Sequence, residues 1–298
     1  MSEAAAPARC GFAALIGEPN AGKSTLLNAL VGQKVSIVTH KVQTTRARIR
    51  GVAIDGDAQI VFVDTPGLFR PRRRLDRAMV AAAWSGAGDA DAVALLIEAH
   101  RGRTEGVDAI LDALEERAGG RPVALVINKI DKVRRAALLP LSAEMNARRA
   151  FDATFFLCAE RGEGVADLRR WIAARMPEGP WHYPEDQVAD LPMRLLAAEI
   201  TREKLTLRLH EELPYQLTVE TEGWTDFRDG SVKIEQVVLV GKETHKGIAL
   251  GKRGETVKAV SAAARAELAE ILGRRVHLFL RVLVRETWER ERERYEAM

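Results

Sequence analysis

Cysteine and long apolar runs are both scarce in this chain. Its only two cysteines, Cys10 and Cys158, are too few for a disulfide framework or a cysteine-based zinc site, so any metal is expected to have oxygen ligands. No apolar run approaches the roughly 18 residues that a membrane-spanning helix needs, and residues 1–10 lack the apolar core of a signal peptide. We therefore expect a cytoplasmic protein.

The composition is otherwise that of an ordinary globular protein. A length of 298 residues is enough for about two domains, and 47% hydrophobic with 29% charged residues disfavours general disorder and coiled-coil fibres. The net charge of +3 hints at a polyanionic partner, but it is informative only where the charge is concentrated.

The first half of the chain alternates short apolar runs with helix-like stretches. The runs at 12–16, 60–63, 92–97, 123–127 and 154–158 have no polar face, which is typical of parallel strands covered by helices on both sides. This pattern predicts an α/β domain over residues 1–176.

A change in composition marks the end of that domain. Residues 176–192 hold four of the eleven prolines and four acids, with no Lys or Arg, so we expect a linker at 177–191. Beyond it the pattern predicts a helix near 193–209, strands near 216–223 and 232–240, a helix over 255–272 and a strand over 276–284. Residues 192–298 are therefore expected to form an α+β domain.

The first predicted strand runs directly into a phosphate loop. The residues that match the pattern GxxxxGK[ST] are Gly17, Glu18, Pro19, Asn20, Ala21, Gly22, Lys23 and Ser24, and a helix-like stretch begins at Thr25. Such a loop directs backbone N–H groups and a helix N-terminus at phosphate oxygens. Lys23 is expected between the β- and γ-phosphates, and the Ser24 hydroxyl is expected to bind Mg2+.

Two further elements predict that the base is guanine. The strand at 123–127 ends in Asn128, Lys129, Ile130 and Asp131, at the sheet edge where α/β proteins bind ligands. The Asp131 carboxylate can accept hydrogen bonds from guanine N1–H and N2–H, which adenine lacks. Asn128 and Lys129 are expected to brace the base and the phosphate loop, and the segment Cys158, Ala159 and Glu160 is expected to offer the Ala159 N–H to guanine O6.

Two polar segments are candidate switches. Asp64, Thr65, Pro66 and Gly67 form a DxxG element, in which Asp64 would hold Mg2+ through a water and the Gly67 N–H would contact the γ-phosphate. In the stretch 38–46, either Thr44 or Thr45 is a candidate to complete the Mg2+ shell, and Thr45 is favoured. The residue after Gly67 is Leu68, so the glutamine that orients water in many GTPases is missing.

The second half contains a GxxG tetrapeptide, Gly251, Lys252, Arg253 and Gly254, directly before a long predicted helix. Residues 241–285 hold ten Lys or Arg against four Glu. The order helix, strand, strand, helix, GxxG, helix, strand fits a type II KH domain, whose GxxG loop clamps the backbone of single-stranded nucleic acid. Candidate RNA-binding residues are the GxxG tetrapeptide together with Lys246 and Lys258.

Together, the phosphate loop, DTPG, NKID and the C-terminal GxxG domain resemble the Era family of bacterial GTPases. The resemblance extends to residues 43–46, 177–180, 183–184, 199–204 and 211–215, and so covers nearly the whole chain. It implies a P-loop GTPase domain followed by a type II KH domain. One departure is Cys158, where the family usually has serine.

The resemblance also implies a function. Members bind single-stranded RNA near the 3′ end of small-subunit ribosomal RNA in the GTP state and support assembly of the small ribosomal subunit. By analogy with related GTPases that lack the glutamine, Asn20 is a candidate ligand of a K+ ion. The expected catalytic groups are Lys23, Asn20, Thr45 and Gly67. We expect a monomer. Peripheral association with the inner membrane is described for the family, but no basic amphipathic helix supports it here.

Two alternatives remain open at this stage. One is a GTPase of the tRNA-modification or tandem-GTPase type, which has the same nucleotide motifs and another partner. The other is an RNA-binding module whose nucleotide site has decayed. The absence of a second phosphate loop and the presence of GxxG disfavour the first, and intact Lys23, Ser24, Asp64 and Asp131 disfavour the second.

Overall fold

The computed structural model describes residues 8–39, 49–64, 90–117, 120–185, 193–209 and 213–285. The chain divides into two compact units, Met1–Asp190 and Leu191–Met298. In the described part of the chain, no helix is both long enough and apolar enough to cross a membrane.

The first unit is built on a six-stranded sheet with the order β2-β3-β1-β4-β5-β6. Its strands are β1 (Arg9–Gly17), β2 (Ile49–Asp55), β3 (Ala58–Asp64), β4 (Ala92–Glu98), β5 (Val123–Asn128) and β6 (Ala153–Phe156). All neighbouring pairs are parallel except β2 and β3. This architecture confirms the predicted α/β fold.

Four α-helices of this unit are described: α1 (Lys23–Val31), α2 (Glu105–Arg117), α3 (Leu138–Arg148) and α4 (Val165–Ala173). Every residue of β4 and β5 is buried, as expected for parallel strands covered on both faces. Apolar side chains of α2 and α3, among them Leu111, Leu114 and Met145, pack with those of β4 and β5 in one core.

Strand β2 was not predicted from the sequence. It is an edge strand that pairs antiparallel with β3 across a turn at Gly56, and its sequence includes Arg50 and Gly51 within the strand. Gly51 has a packing reason, since a Cβ atom there would lie 2.7 Å from Val31 and 2.9 Å from Leu27 of α1. Close packing of a helix therefore breaks the apolar pattern that identifies a strand.

The first part of the predicted linker is hydrogen-bonded to the first unit. The Cys10 N–H donates to the Pro177 carbonyl over 3.0 Å. The buried Gln59 side chain accepts from the backbone N–H groups of His182 and Tyr183 and donates to the Tyr183 carbonyl. Residues 177–183 are therefore held along the sheet, whereas 186–192 lie outside the described residues.

The second unit has a three-stranded sheet with the order β7-β8-β9. Its elements are α5 (Met193–Arg208), β7 (Leu217–Asp226), β8 (Val232–Val240), α6 (Glu243–Leu250), α7 (Glu255–Leu272) and β9 (Val276–Val284). Strand β8 is antiparallel to β7 and parallel to β9. Helices α5 and α7 share a core with the sheet, and the predicted element order of a KH domain is confirmed.

Candidate nucleotide site and GxxG loop

The phosphate loop connects the carboxyl end of β1 to the first turn of α1. Gly17 and Gly22 are required by close neighbours: a Cβ atom at Gly17 would lie 2.5 Å from the Leu96 carbonyl oxygen, and one at Gly22 would lie 2.3 Å from Asn128 Nδ2. Gly22 also has a φ of 98°, which favours glycine. The loop therefore packs against both β4 and β5.

Lys23 supplies a buried ammonium group to this loop. Lys23 is only 6% exposed, and its Nζ donates to the carbonyl oxygens of Gly17 at 3.1 Å and Glu18 at 2.9 Å. Ser24 and Thr25 follow in the first turn of α1, where the helix N-terminus favours anions. The predicted phosphate-binding residues from Gly17 to Thr25 therefore form one segment that runs from the end of β1 into the first turn of α1.

Asn128 connects three of the predicted motifs. Its Nδ2 donates to the Ala21 carbonyl at 2.9 Å, while Oδ1 accepts from the backbone N–H groups of Lys129 at 2.8 Å and Ala159 at 3.1 Å. The Ala159 N–H, which the sequence predicted for guanine O6, is therefore engaged by Asn128 here. Because Asn128 is only 2% exposed, these bonds join the phosphate loop to both base-reading segments without competition from water.

Lys129 makes a second connection to the phosphate loop. Its backbone has a φ of 61°, and its Nζ donates to the Asn20 carbonyl at 2.6 Å and to Glu98 Oε2 at 2.5 Å. Sequence reasoning did not single out Glu98. The available signal was its place as the last residue of β4, opposite Asn128 in the register of the sheet.

Asp131 is exposed at the same edge of the sheet, as a base-reading carboxylate must be. A hydrogen bond from the Cys158 thiol lowers the pKa of Asp131, with smaller contributions from the charges of Arg161 and Lys132. Burial raises the pKa of Cys158, and its hydrogen bond with Asp131 raises that pKa further. The arrangement keeps a hydrogen-bond acceptor at Asp131 and a protonated thiol behind it. Glu160, the next predicted residue of this segment, is exposed.

Part of the predicted magnesium site is described. Asp64 ends β3 and is paired in register with Leu15 of β1, two residues before the phosphate loop begins. The sequence supplies a hydroxyl at Ser24 and an acidic residue at position 64, and Mg2+ prefers oxygen donors of both kinds, so these residue types fit this ion. Thr44, Thr45, Thr65, Pro66 and Gly67 lie outside the described residues.

The GxxG loop of the second unit has the backbone conformation that its glycines allow. Gly251 and Gly254 have φ values of 75° and 78°, and Arg253 between them has 54°. A Cβ atom at Gly251 would lie 2.2 Å from Thr256 Oγ1, whereas Gly254 faces open space. Lys252 and Arg253 are both exposed, so their charges are available to an anionic chain.

A groove of about 290 Å3 lies beside this loop, along α7 and β9. It is lined by Val257, Lys258, Ser261, Ala262, Arg265 and Leu280. Of the two further lysines predicted to bind RNA, Lys258 lines this groove. Lys246 is half-buried on α6, and its Nζ lies 3.9 Å from Glu243 Oε1. Small and apolar side chains flanked by cations suit bases together with their phosphates.

Comparisons with known proteins agree with this division of roles. Residues 12–129 match a family described as 50S ribosome-binding GTPase, and residues 212–289 match the KH domain family. The chain is 69% identical to GTPase Era of Dinoroseobacter shibae, over 100% of this chain and 97% of that protein. It is 60% identical to GTPase Era of Sinorhizobium medicae, over 99% and 94% of the two chains.

Two solved structures are similar over almost the whole length. One is a variant of Aquifex aeolicus Era bound to GDP.AlF4-, with a TM-score of 0.89 and 37% identity, covering 96% of this chain and 97% of that one. The other is Era in complex with MgGDPNP and nucleotides 1506-1542 of 16S ribosomal RNA, with the same score, identity and coverage.

Proposed function

This chain belongs to the Era family of GTPases, and from that membership we propose that it is a GTP-timed assembly factor of the small ribosomal subunit. It hydrolyses GTP to GDP and phosphate in the first unit and binds the 3′ end of 16S ribosomal RNA through the KH domain. The main support for this proposal is that Asn128 is hydrogen-bonded both to the phosphate loop and to a segment predicted to read the base. The same chain also contains a GxxG loop and a groove lined by cations.

Recognition of guanine follows from the state of Asp131. An aspartate is ionised at neutral pH, and the lowered pKa of Asp131 extends that state to more acid conditions. The carboxylate can therefore accept from guanine N1–H and N2–H, whereas adenine would leave it without donors. An amide at this position presents a donor as well as an acceptor. We therefore expect Asp131→Asn to weaken GDP binding and to favour xanthine nucleotides, which carry an acceptor where guanine has its N2–H group.

The phosphates are bound by the loop backbone, Lys23 and the N-terminus of α1. Ser24, Asp64 and Thr45 are the proposed residues of the Mg2+ site, and the ion neutralises charge on the phosphate oxygens when bound. The Gly67 N–H is the proposed sensor of the γ-phosphate. Since Leu68 provides no water-orienting group, we also propose a K+ ion at Asn20.

RNA binding is proposed to use Lys252, Arg253, Lys246 and Lys258 for phosphates and the groove on α7 for bases. The relative solved with 16S ribosomal RNA supports this assignment, and the full-length Era relatives favour it over the tRNA-modification or tandem-GTPase alternative. We propose domain bounds of 1–176, 177–191 and 192–298. A cytoplasmic location and a monomeric state stay predictions from the sequence, and peripheral contact with the inner membrane stays a prediction from the family.

The test measures binding of an RNA copied from the 3′ end of 16S ribosomal RNA, with GTP analogue or GDP. Gly254→Asp should abolish binding, because it places a carboxylate and a strained φ of 78° in the loop. The matched control is Gly273→Asp, since Gly273 also has a positive φ and open space but caps the other end of α7. Equal loss in both variants, or binding indifferent to the nucleotide, would contradict the proposal.

A further inference from the structure

We propose that Glu98 is a positioning residue that holds Lys129 against the phosphate loop and thereby slows release of the nucleotide. Glu98 is 7% exposed and ends β4, and its Oε2 lies 2.5 Å from Lys129 Nζ. The same ammonium donates to the Asn20 carbonyl at 2.6 Å. A carboxylate at the end of one strand thus directs a lysine that directly follows the neighbouring strand onto the loop.

The physical need for Glu98 comes from the lysine. A lysine side chain has a flexible four-carbon stem, so fixing its ammonium on one carbonyl costs conformational entropy. A buried carboxylate offsets that cost, since charge-assisted hydrogen bonds in a partly dry site are stronger than neutral ones. With Glu98 in place, Lys129 is directed to Asn20 before any nucleotide arrives.

The segment after Glu98 holds the loop at a second point. Arg101 NH1 lies 3.3 Å from Glu98 Oε1 and 3.8 Å from Glu18 Oε2, and the Thr104 hydroxyl donates to Glu18 Oε2 at 2.8 Å. Glu18 also packs tightly on α2, because a Cβ atom at Gly106 would lie 2.1 Å from its carboxylate. We call Glu98, Arg101 and Thr104 the β4 clasp.

The β4 clasp therefore holds the phosphate loop on either side of Pro19, directly at Glu18 and through Lys129 at Asn20. A loop ordered in advance pays less entropy on binding, and a ligand must break more contacts to distort the loop on leaving. The expected signature is a faster dissociation of GDP when the clasp is weakened, with base selectivity unchanged because Asp131 is not part of it.

The experiment measures release of fluorescent GDP from the full chain. Glu98→Gln should release GDP about 10-fold faster, as expected for loss of a charge-assisted hydrogen bond. Lys129→Met should show a similar or larger effect. Glu98→Gln should speed release by a smaller factor when Lys129→Met is already present, because its contact with Lys129 is then already lost and its contact with Arg101 remains. The matched control is Asp108→Asn, which breaks an exposed pair with Arg103 on α2 and should leave release unchanged.

The outcomes separate this inference from the proposed function on which it rests. If the unaltered protein failed to bind GDP, the proposed function itself would be wrong. If it binds GDP but Glu98→Gln releases it within about 2-fold of normal, or Glu98→Gln speeds release by the same factor with and without Lys129→Met, the positioning role is wrong. Glu98→Asp, which keeps the charge on a shorter stem, provides a milder variant and should release GDP at an intermediate rate. The ratio of GDP to IDP affinity should stay constant throughout, whereas general loosening of the site would change it.

Discussion

Replacing Asn128 by alanine should separate the phosphate loop from both base-reading segments. The change leaves three backbone groups without their partner: the buried Ala21 carbonyl and Ala159 N–H group, and the half-buried N–H group of Lys129. At about 1 kcal/mol for each lost hydrogen bond, the total is about 3 kcal/mol. If these hydrogen bonds stabilise the GDP-bound form relative to the free form by that amount, the affinity for GDP should fall on the order of 100-fold.

The matched control is Asn146→Ala. Asn146 lies in the same unit and also makes several hydrogen bonds, including Nδ2 to the Ser142 carbonyl at 2.9 Å and to Thr154 Oγ1 at 3.2 Å, but it is exposed. Water can replace those bonds, so GDP affinity should change little. Calorimetric titration with GDP, together with thermal unfolding, measures both variants. Near-normal GDP affinity and stability in Asn128→Ala would refute the reasoning.

Three further outcomes follow from the same structure. Cys158→Ala removes the thiol that lowers the pKa of Asp131, so GDP binding, which needs the carboxylate, should be lost at a higher pH than normal in an acid titration that continues below the ordinary aspartate pKa of 3.8. Glu199→Ala breaks a buried pair with Arg202 and should destabilise the second unit by about 3 kcal/mol in denaturant unfolding. Asp167→Ala, which breaks an exposed pair of the same spacing, should cost no more than about 0.5 kcal/mol. Replacing K+ by Na+ should lower the GTP hydrolysis rate severalfold, and equal rates in both salts would rule out the K+ site.

The strands with the clearest signal in the sequence were those buried on both faces. Strands β4 and β5 are uninterrupted apolar runs because helices cover them on both sides, and such runs are visible in a sequence. Strand β2 was missed because its place in the sheet comes from pairing with β3, and Gly51 is there to admit α1. The hydrophobic pattern of a short segment does not show which other segments of the chain it will pair with or pack against.

The nucleotide motifs were predictable because the backbone conformation and chemistry are local. Gly22 and Gly254 both have the positive φ that a GxxxxGK or GxxG pattern suggests. The partner of Lys129 was not predictable, since Glu98 lies 31 positions away and has no motif of its own. Nor was the use of the Ala159 N–H by Asn128.

By itself, the sequence determined the order of most elements and the positions of the phosphate loop, the tetrapeptide predicted to read guanine and the GxxG loop, because each depends on residues close together in the chain. Only the tertiary structure decided how these pieces are joined. Parallel strands bring Glu98 and Asn128 to one edge of the sheet, and Gln59 holds residues 182 and 183 from more than 120 positions away. Such contacts depend on strand order and register, which emerge only when the whole core packs.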